Sequence, residues 1–440
     1  MSEPKSFAAL RHPGGRAYLA GAMLAMMADN IEHVISYWMI YQKFESPALA
    51  GFAVFSHWVP FLVFSVYAGA LADRFDPRRI IQLGMVLFMI VSSGWGILFL
   101  TDSLEMWHAA ILLVLHGFSG VIWAPAAQLL VHDIVGPAQL QSAVRMIASG
   151  RQLGILLGPA VGGGLMLALG PAWGMLLNVF IYLPLTLWLW KAPYGPAFRT
   201  GPRPPGRAFA GLAEILATLR DIASNRTIVS MILLAGCASF LVGNAHQAQM
   251  PEFAHHLGHD DGLHYSALLA ATAAGALIAG IVLESRGLLT AHPRTACVLV
   301  ALWCGAIAGF ASAASYPLAL GLLFAAGFLD LSYNSMAMTL VQLNAPEAIR
   351  GRVIGLYNMA SLGLRSFSGV TVGLGGSVIG IHWSLGLSAG TLLVVAVVLL
   401  SLMLGGARAD EMRRSGSARD RAARPLNTAA RTGRSAPPRR

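Results

Sequence analysis

The chain has 440 residues, of which 56% are hydrophobic and only 11% are charged. A soluble domain of this length would carry roughly 25% charged residues, so the composition indicates a helical protein that crosses a membrane many times. The net charge of +10 does not indicate nucleic-acid binding, because no soluble segment interleaves basic and aromatic residues.

Twelve apolar runs of membrane-spanning length follow one another along the chain. They cover residues 17–43, 48–72, 79–100, 106–131, 139–168, 172–191, 227–250, 264–286, 294–313, 316–341, 350–379 and 382–405. The predicted fold is an all-α membrane protein with twelve transmembrane helices in two six-helix halves. The predicted segments are an N-terminus at 1–16, a first bundle at 17–191, a linker at 192–226, a second bundle at 227–405 and a basic disordered tail at 406–440.

Basic residues are concentrated on one side of these spans. With the N-terminus in the cytoplasm, they fall in the N-terminus, the linker, the cytoplasmic loops and the tail, whereas the outer loops hold Lys43 alone. The positive-inside rule therefore predicts a multi-pass protein of the cell inner (plasma) membrane with both termini in the cytoplasm. The tail is expected to be a solubilising end, with contact to anionic lipid as the alternative.

An acidic stripe lies within the first span. Asp29, Glu32, His33 and Ser36 follow the spacing i, i+3, i+4, i+7, which places them on one helix face. Ionisable groups at membrane depth face a protein or water interior. We expect Asp29 and Glu32 to couple transport to protons or to bind a cationic group. The alternative is a structural ion pair with an arginine of a neighbouring helix.

The segment after the second span, residues 69–79, reads GALADRFDPRR. It resembles the loop 2–3 signature of the major facilitator superfamily, with Asp76-Pro77 where the family has a glycine before the basic pair. The resemblance implies a cytoplasmic gate that latches the two halves in the outward-open state, formed by Gly69, Asp73, Arg74, Arg78 and Arg79. An ordinary basic loop is the alternative. A weak repeat supports related halves, because GIVLESR at residues 280–286 follows the eighth span in the same way.

The fifth span contains GILLGPAVGG at residues 154–163. This segment resembles the antiporter signature of drug:proton exporters, carried here by Gly154, Gly158, Pro159, Gly162 and Gly163. General small-residue helix packing is the alternative. Together the motifs resemble the branch of drug:proton antiporters that contains the enterobactin exporter and related secretion-type transporters. The resemblance implies that spans 3, 6, 9 and 12 lie outside a central cavity, and their cores indeed hold no ionisable residue.

Further candidates for proton coupling or substrate binding lie in other spans. Asp330 is a second acid, with a helix–helix hydrogen bond as its alternative role. Arg365 shares a helix face with Asn358 and needs a permanent anionic partner, either on the cargo or on the protein. Arg145 and Arg151 are about 240° apart around one helix and cannot both face a cavity squarely. The remaining candidates are Asn244 and His246.

Metal sites and cofactors are not expected. Cys237, Cys297 and Cys304 lie in apolar runs without metal-ligand spacing. The histidine-rich loop after the seventh span has no rigid spacing and is interpreted as solvated. His57 and His116 are interpreted as core hydrogen-bonding groups rather than ligands.

The sequence thus predicts a secondary active transporter, with proton-coupled efflux of a small amphiphilic molecule of the drug or siderophore class as its function. A solute importer on the same fold is the main alternative, and a transport-inactive membrane sensor is another. An enzyme is not expected, because no nucleophile–base pair or P-loop occurs at membrane depth. The expected partners are a small-molecule substrate, protons and the lipid bilayer, with no nucleic acid, and the chain is expected to act as a monomer.

Overall fold

The computed structural model describes residues 7–44, 47–198, 212–243, 250–258, 262–368, 372 and 375–422. All regular elements in this part of the chain are helices. The first half contains α1 (Ala8–Arg11), α2 (Pro13–Phe44), α3 (Pro47–Arg74), α4 (Pro77–Leu100) and α5 (Met106–Lys191). The rest contains α6 (Leu212–Ile222), α7 (Arg226–Leu241), α8 (Met250–His256), α9 (Gly262–Ser285), α10 (Pro293–Ala311), α11 (Tyr316–Asn344), α12 (Arg350–Ser361), α13 (Gly375–Ile379) and α14 (Ile381–Ala422).

Helix α5 consists of three helical segments joined at two glycines. Gly136 and Gly170 have φ values of 69° and 81°, and each is followed by a proline. A left-handed glycine ends one right-handed helix, and proline is favoured at the start of the next. The segments, 106–135 (α5a), 137–169 (α5b) and 171–191 (α5c), match the predicted spans 4, 5 and 6.

Seven of the described helices are long and apolar enough to cross a membrane: α3, α4, α5, α9, α10, α11 and α14. With α5 counted as three segments, and with α2, α7 and α12 added, the arrangement is consistent with twelve crossings. The seventh predicted span ends early, because α7 stops at Leu241. The eleventh is not one continuous helix, because α12 ends at Ser361 and a 3-10 helix follows at Gly363–Phe367.

The last described helix extends into the predicted tail. Helix α14 continues past residue 405 to Ala422, through a stretch rich in alanine and arginine, which are good helix formers. Within the predicted linker, the structure has α6, an 11-residue helix. Residues 423–440 lie outside the described part of the chain.

The two halves contact each other near one end of the bundle, which we call the basic end because Arg74, Arg78, Arg79, Arg286 and Arg294 lie there. Helix α3 packs along α12 so closely that a Cβ atom on Gly69 would lie 2.1 Å from the carbonyl oxygen of Gly351. A Cβ atom on Gly355 would lie 2.2 Å from the carbonyl oxygen of Ser65. Small residues permit this backbone contact.

At the opposite end, an ion pair joins the ends of α2 and α4 within the first half. Lys43 Nζ donates to Asp102 Oδ1 at 2.9 Å. This hydrogen bond lowers the pKa of the exposed Asp102 carboxyl group. Because both residues belong to one half, the pair does not close the bundle at this end.

Candidate functional site

A cavity of about 620 Å³ lies between the two halves. Its walls come from α2, α3, α5a, α5b, α7, α9, α11 and α12. Among the described residues, α4 and α10 contribute only Phe88 and Trp303, and α5c and α14 contribute none. This arrangement agrees with the expectation that spans 3, 6, 9 and 12 lie outside the cavity.

His116 of α5a lies between the two acids of the stripe. Its Nδ1 atom is 2.8 Å from Glu32 Oε1, and its Nε2 atom is 3.0 Å from Asp29 Oδ1. Asp29 and Glu32 are 8% and 1% exposed, so both carboxyl groups depend on protein partners rather than on water. The ion-pair partner that the structure gives these acids is a histidine, not the arginine considered from the sequence.

Side chains from two outer helices, α4 and α5c, form a hydrogen-bonded chain that ends at Glu32. The Ser92 hydroxyl of α4 donates to the Glu32 carboxylate. Asn178 of α5c in turn donates to Ser92 Oγ at 3.2 Å and to the carbonyl oxygen of Ala28 at 2.9 Å. Side chains of two outer helices, α4 and α5c, therefore fix the position of an acid on α2. Ser36, the last residue of the stripe, donates to the backbone carbonyl of Glu32 at 2.6 Å.

Two further histidines complete the cluster. His33 Nδ1 lies 2.8 Å from the backbone carbonyl oxygen of Asp29, and His33 Nε2 lies 3.3 Å from His57 Nδ1. The His33 and His116 ring centroids are 4.6 Å apart. Sequence reasoning did not find this cluster, because its members lie on three helices with no common spacing. The available signal was the presence of lone histidines in three apolar spans.

The second half contributes an acid and an arginine to the cavity wall. Asp330 Oδ1 accepts a hydrogen bond from Asn334 Nδ2 at 3.0 Å. Arg365 Nε donates to the backbone carbonyl of Ser361 at 3.1 Å. The Arg365 guanidinium carbon also lies 5.6 Å from the ring centroid of Trp58, on the other half. This cation–π contact joins the halves at the level of the cavity.

The two arginines of α5b, which cannot both face the cavity squarely, lie in different places. Arg145 donates to the backbone carbonyls of Leu283, Leu288 and Leu289 at 3.1, 2.6 and 2.5 Å. It therefore lies at the basic end rather than in the cavity wall, because its polar helix face meets the end of α9. Arg151 is the arginine of this helix that lines the cavity.

Several hydrogen-bond donors in the cavity wall have no partner within the described part of the chain. They are Trp123 Nε1, Arg151 Nε, Tyr357 Oη and Asn358 Nδ2. Buried polar groups are almost always hydrogen-bonded, to protein, water or ligand. A molecule that carries acceptor oxygens would satisfy these donors.

The gate motif reaches the other half through one carboxylate. Asp73 accepts hydrogen bonds from the backbone N–H groups of Gly351 at 2.6 Å and Arg352 at 3.0 Å. These groups are at the first turn of α12, where the helix dipole favours negative charge.

The arginines of the motif have contacts in their own half. Arg78 pairs with Asp76 at 2.6 Å, and Arg79 donates to Gln82 at 2.7 Å. The Arg74 guanidinium lies over the ring of Phe75, 5.5 Å from its centroid. Gly69 and Asp73 thus contact α12, whereas Arg78 and Arg79 contact residues at the start of α4.

A related contact between the two halves lies at the end of α9. Glu284 accepts a hydrogen bond from Ser142 Oγ, and Arg145 NH1 is 3.9 Å from its carboxylate. Gly280 packs directly against Ser149 of α5b. In each half, a glycine and an acid four residues later thus contact a helix of the other half.

The antiporter-like motif packs α5b against α2, the helix that carries the acidic stripe. Cβ atoms added to Gly154, Gly158 and Gly162 would lie 2.9, 2.4 and 3.2 Å from atoms of α2. Gly163 has open space around the Cβ position, and Pro159 is exposed. Asn244 and His246 lie outside the described residues.

Two helical halves around a central cavity, in contact at one end, form the architecture that secondary transporters use. The chain matches the family model of the Major Facilitator Superfamily over residues 17–369. It therefore belongs to this superfamily, whose members are transporters rather than enzymes.

Curated relatives match a limited part of the chain. Two proteins named "Putative multidrug resistance protein MdtD" are 33% identical over 135 residues (Salmonella typhi) and 32% identical over 148 residues (Cronobacter sakazakii). These matches cover 31% and 33% of this chain and 28% and 30% of the relatives. The chain thus aligns with less than a third of the length of each.

Solved structures match over most of the chain. The human organic anion transporter MFSD10 has a TM-score of 0.70 at 17% identity, and the alignment covers 88% of this chain and 99% of the MFSD10 chain. The transporter FucP in its outward conformation has a TM-score of 0.71 at 12% identity, with 88% and 97% covered. A bacterial homologue of the iron transporter ferroportin, in the outward-facing state, has a TM-score of 0.66 at 16% identity, with 89% and 99% covered. At these identities the similarity shows the fold.

Proposed function

We propose that this protein is a proton-coupled exporter of small amphiphilic molecules that works by alternating access. The observation that carries the proposal is His116, whose two ring nitrogens face Asp29 and Glu32 at 3.0 and 2.8 Å. Histidine and carboxyl groups exchange protons, whereas arginine retains its charge. An acid pair bridged by an imidazole at the cavity wall can therefore take up a proton and release it again.

The cavity suits a cargo with an apolar body and acceptor groups. Its volume of about 620 Å³ is within the range of roughly 300–1,000 Å³ that drug-sized ligands occupy. Trp58, Trp123 and Trp303 supply aromatic surface. Arg151 and Asn358 supply donors without partners in the described part of the chain. The names of the MdtD relatives support a cargo of the drug class, and a siderophore has the same acceptor-rich chemistry.

The contacts at the basic end suggest which state the structure represents. If the basic end faces the cytoplasm, as the positive-inside rule requires, the Asp73 and Glu284 contacts close the cytoplasmic side of the cavity. This corresponds to an outward-facing state in the inner membrane, with both termini in the cytoplasm. Release of these contacts would then let the halves rock to the inward-facing state. One chain supplies both cavity walls, so we propose that the monomer is the working unit and that protons and cargo are its ligands.

The test uses inverted membrane vesicles that contain the protein, with a fluorescent amphiphile as cargo. We expect an imposed proton gradient to drive uphill accumulation. Asp29→Asn and Glu32→Gln should abolish this accumulation but retain downhill exchange, because the cavity itself remains. Asp102→Asn, a change of an exposed acid, is the matched control. Unchanged gradient-driven flux in both cavity variants would refute proton coupling through this pair. Accumulation in right-side-out vesicles alone would establish import instead.

A further inference from the structure

Three histidines beside the cavity form a cluster with the dimensions of a metal site. His33 of α2, His57 of α3 and His116 of α5a offer nitrogen atoms that all lie within 4.8 Å of one another. We propose that this cluster binds one divalent transition-metal ion, with Asp29 as the fourth ligand. The inference does not rest on proton-driven export, although it uses Asp29 and His116 of the same site. The sequence did not predict it, since the three histidines come from three helices.

Hydrogen bonds to one ring nitrogen orient two of the imidazoles for metal binding through the other nitrogen. A backbone carbonyl can only accept, so the contact at 2.8 Å from Asp29 O places the hydrogen of neutral His33 on Nδ1. Glu32 Oε1 likewise lies 2.8 Å from His116 Nδ1 and can accept its hydrogen. His33 then presents the lone pair of Nε2, and an ion between His116 Nε2 and Asp29 Oδ1 would take the place of a proton there, so that His116 also binds it through Nε2. Metal-binding histidines are oriented in this way, through a carbonyl or carboxylate on the other ring nitrogen.

The distances are close to those of a four-coordinate ion. Zn–N bonds of about 2.0–2.1 Å place neighbouring nitrogens of a tetrahedral site roughly 3.3 Å apart. His33 Nε2 and His57 Nδ1 are 3.3 Å apart. His116 Nε2 lies 3.0 Å from Asp29 Oδ1, yet it is buried and makes no hydrogen bond of suitable geometry within the described residues. An ion between these atoms would satisfy it.

A small void and the large cavity both adjoin the cluster. The void, of about 10 Å³, lies on the Glu32 side of the cluster and is lined by Glu32, Ser36 and the three histidines among others, close to the minimum that one water molecule needs. His33, Tyr37 and His57 line both this void and the large cavity. An ion can therefore reach the cluster from the cavity without crossing the core of the first half.

The donor set selects the class of ion. Three imidazoles and a carboxylate suit borderline ions such as Zn²⁺, Co²⁺ and Ni²⁺, whereas Mg²⁺ and Ca²⁺ prefer oxygen ligands. Two charges on the ion would also balance the carboxylates of Asp29 and Glu32. Glu32, held by Ser92, would act on the ion through His116 as a positioning residue.

The test is equilibrium binding by the full chain in detergent, with any affinity tag removed. We expect one equivalent of Zn²⁺ by calorimetry, and visible absorption of tetrahedral Co²⁺ that Zn²⁺ abolishes. His33→Gln and His57→Gln should each weaken binding at least 10-fold. Glu32→Gln should weaken it by about 10- to 100-fold, as for other groups that orient a ligand.

A second histidine pair provides the control. His256 Nδ1 and His382 Nε2 lie 2.9 Å apart on the exposed surface, so His256→Asn should leave binding unchanged. X-ray absorption of Zn²⁺ bound to the unaltered protein should show three imidazoles, a result that does not depend on variant folding. Fewer than three imidazoles, no stoichiometric binding, or loss of binding only in His256→Asn would overturn the proposal. These measurements need no proton gradient, so a negative result would not decide whether the protein exports its cargo. The vesicle assay tests export separately.

Discussion

At the scale of single residues, Asn358 and Asn178 show how a binding position differs from a structural one. Both side chains are buried. Asn178 donates hydrogen bonds to Ser92 and to the backbone of Ala28, whereas Asn358 Nδ2 faces the cavity without a partner in the described chain. A buried donor without a partner lowers stability, so its presence in a cavity wall points to a ligand.

We therefore expect Asn358→Leu to weaken cargo binding without loss of stability. Loss of one hydrogen bond costs about 0.5–1.5 kcal/mol, and 1.4 kcal/mol is a factor of ten in affinity, so KM for transport should rise up to about 10-fold. The free energy of unfolding should remain unchanged or increase. Asn178→Leu, the matched control, should instead lower the free energy of unfolding. Transport assays and unfolding in mixed micelles would show both effects, and destabilisation by Asn358→Leu would contradict this role.

At the scale of helices, the glycines of α5b position the acidic stripe through backbone contact. Gly154, Gly158 and Gly162 recur every four residues, which places them on one face against α2. A Cβ atom on Gly158 would lie 2.4 Å from the Asn30 Cβ atom. Asn30 is adjacent in sequence to Asp29, so displacement of α2 at this point would alter the contact between Asp29 and His116.

Gly158→Ala should thus lower the free energy of unfolding and reduce gradient-driven transport. Overpacking of this kind typically costs about 1–3 kcal/mol. Gly163→Ala, in the same motif but with open space around its Cβ position, should retain full activity, because alanine favours the helix. Thermal unfolding and vesicle transport of the two variants provide the comparison. Equal effects of both changes would show that the motif has no special contact with α2.

Particular helices show what the sequence could and could not predict. The predicted ends of spans 4 to 6 lie close to the breaks at Gly136 and Gly170, since glycine–proline pairs interrupt helices by local chemistry. The end of α12 at Ser361 carries no comparable local signal. Asp29, Glu32 and His33 were predicted as site candidates one by one, whereas His57 and His116 were interpreted as core groups, and the pairing of these side chains was not predicted. Contacts such as that between Glu32 and His116 depend on how separate helices pack, which the spacing in sequence does not contain.

At the scale of the whole molecule, two of the contacts between the halves at the basic end are related. Asp73 of α3 binds the first turn of α12, and Glu284 of α9 binds Ser142, near the start of α5b. Each acid follows its contact glycine, Gly69 or Gly280, by four residues. If both contacts stabilise the closed basic end, the sequence repeat is also a functional repeat. Loss of either contact should then favour the state in which the basic end is open.

Asp73→Asn should shift the equilibrium away from the state seen here. The change removes the charge and one acceptor, and a hydrogen bond to a charged group is worth about 1.5–3 kcal/mol. The ratio of closed to open basic ends should accordingly fall at least roughly 10-fold. Spin labels introduced by Thr101→Cys and Ser312→Cys, after replacement of Cys237, Cys297 and Cys304, would report the separation of the halves at the opposite end.

Asp76→Asn is the matched control, because Asp76 pairs with Arg78 of its own half. We expect the short-distance population to grow in Asp73→Asn and to remain unchanged in Asp76→Asn. An equal shift in both variants would mean that the whole loop, rather than the Asp73 contact with α12, controls the closed end.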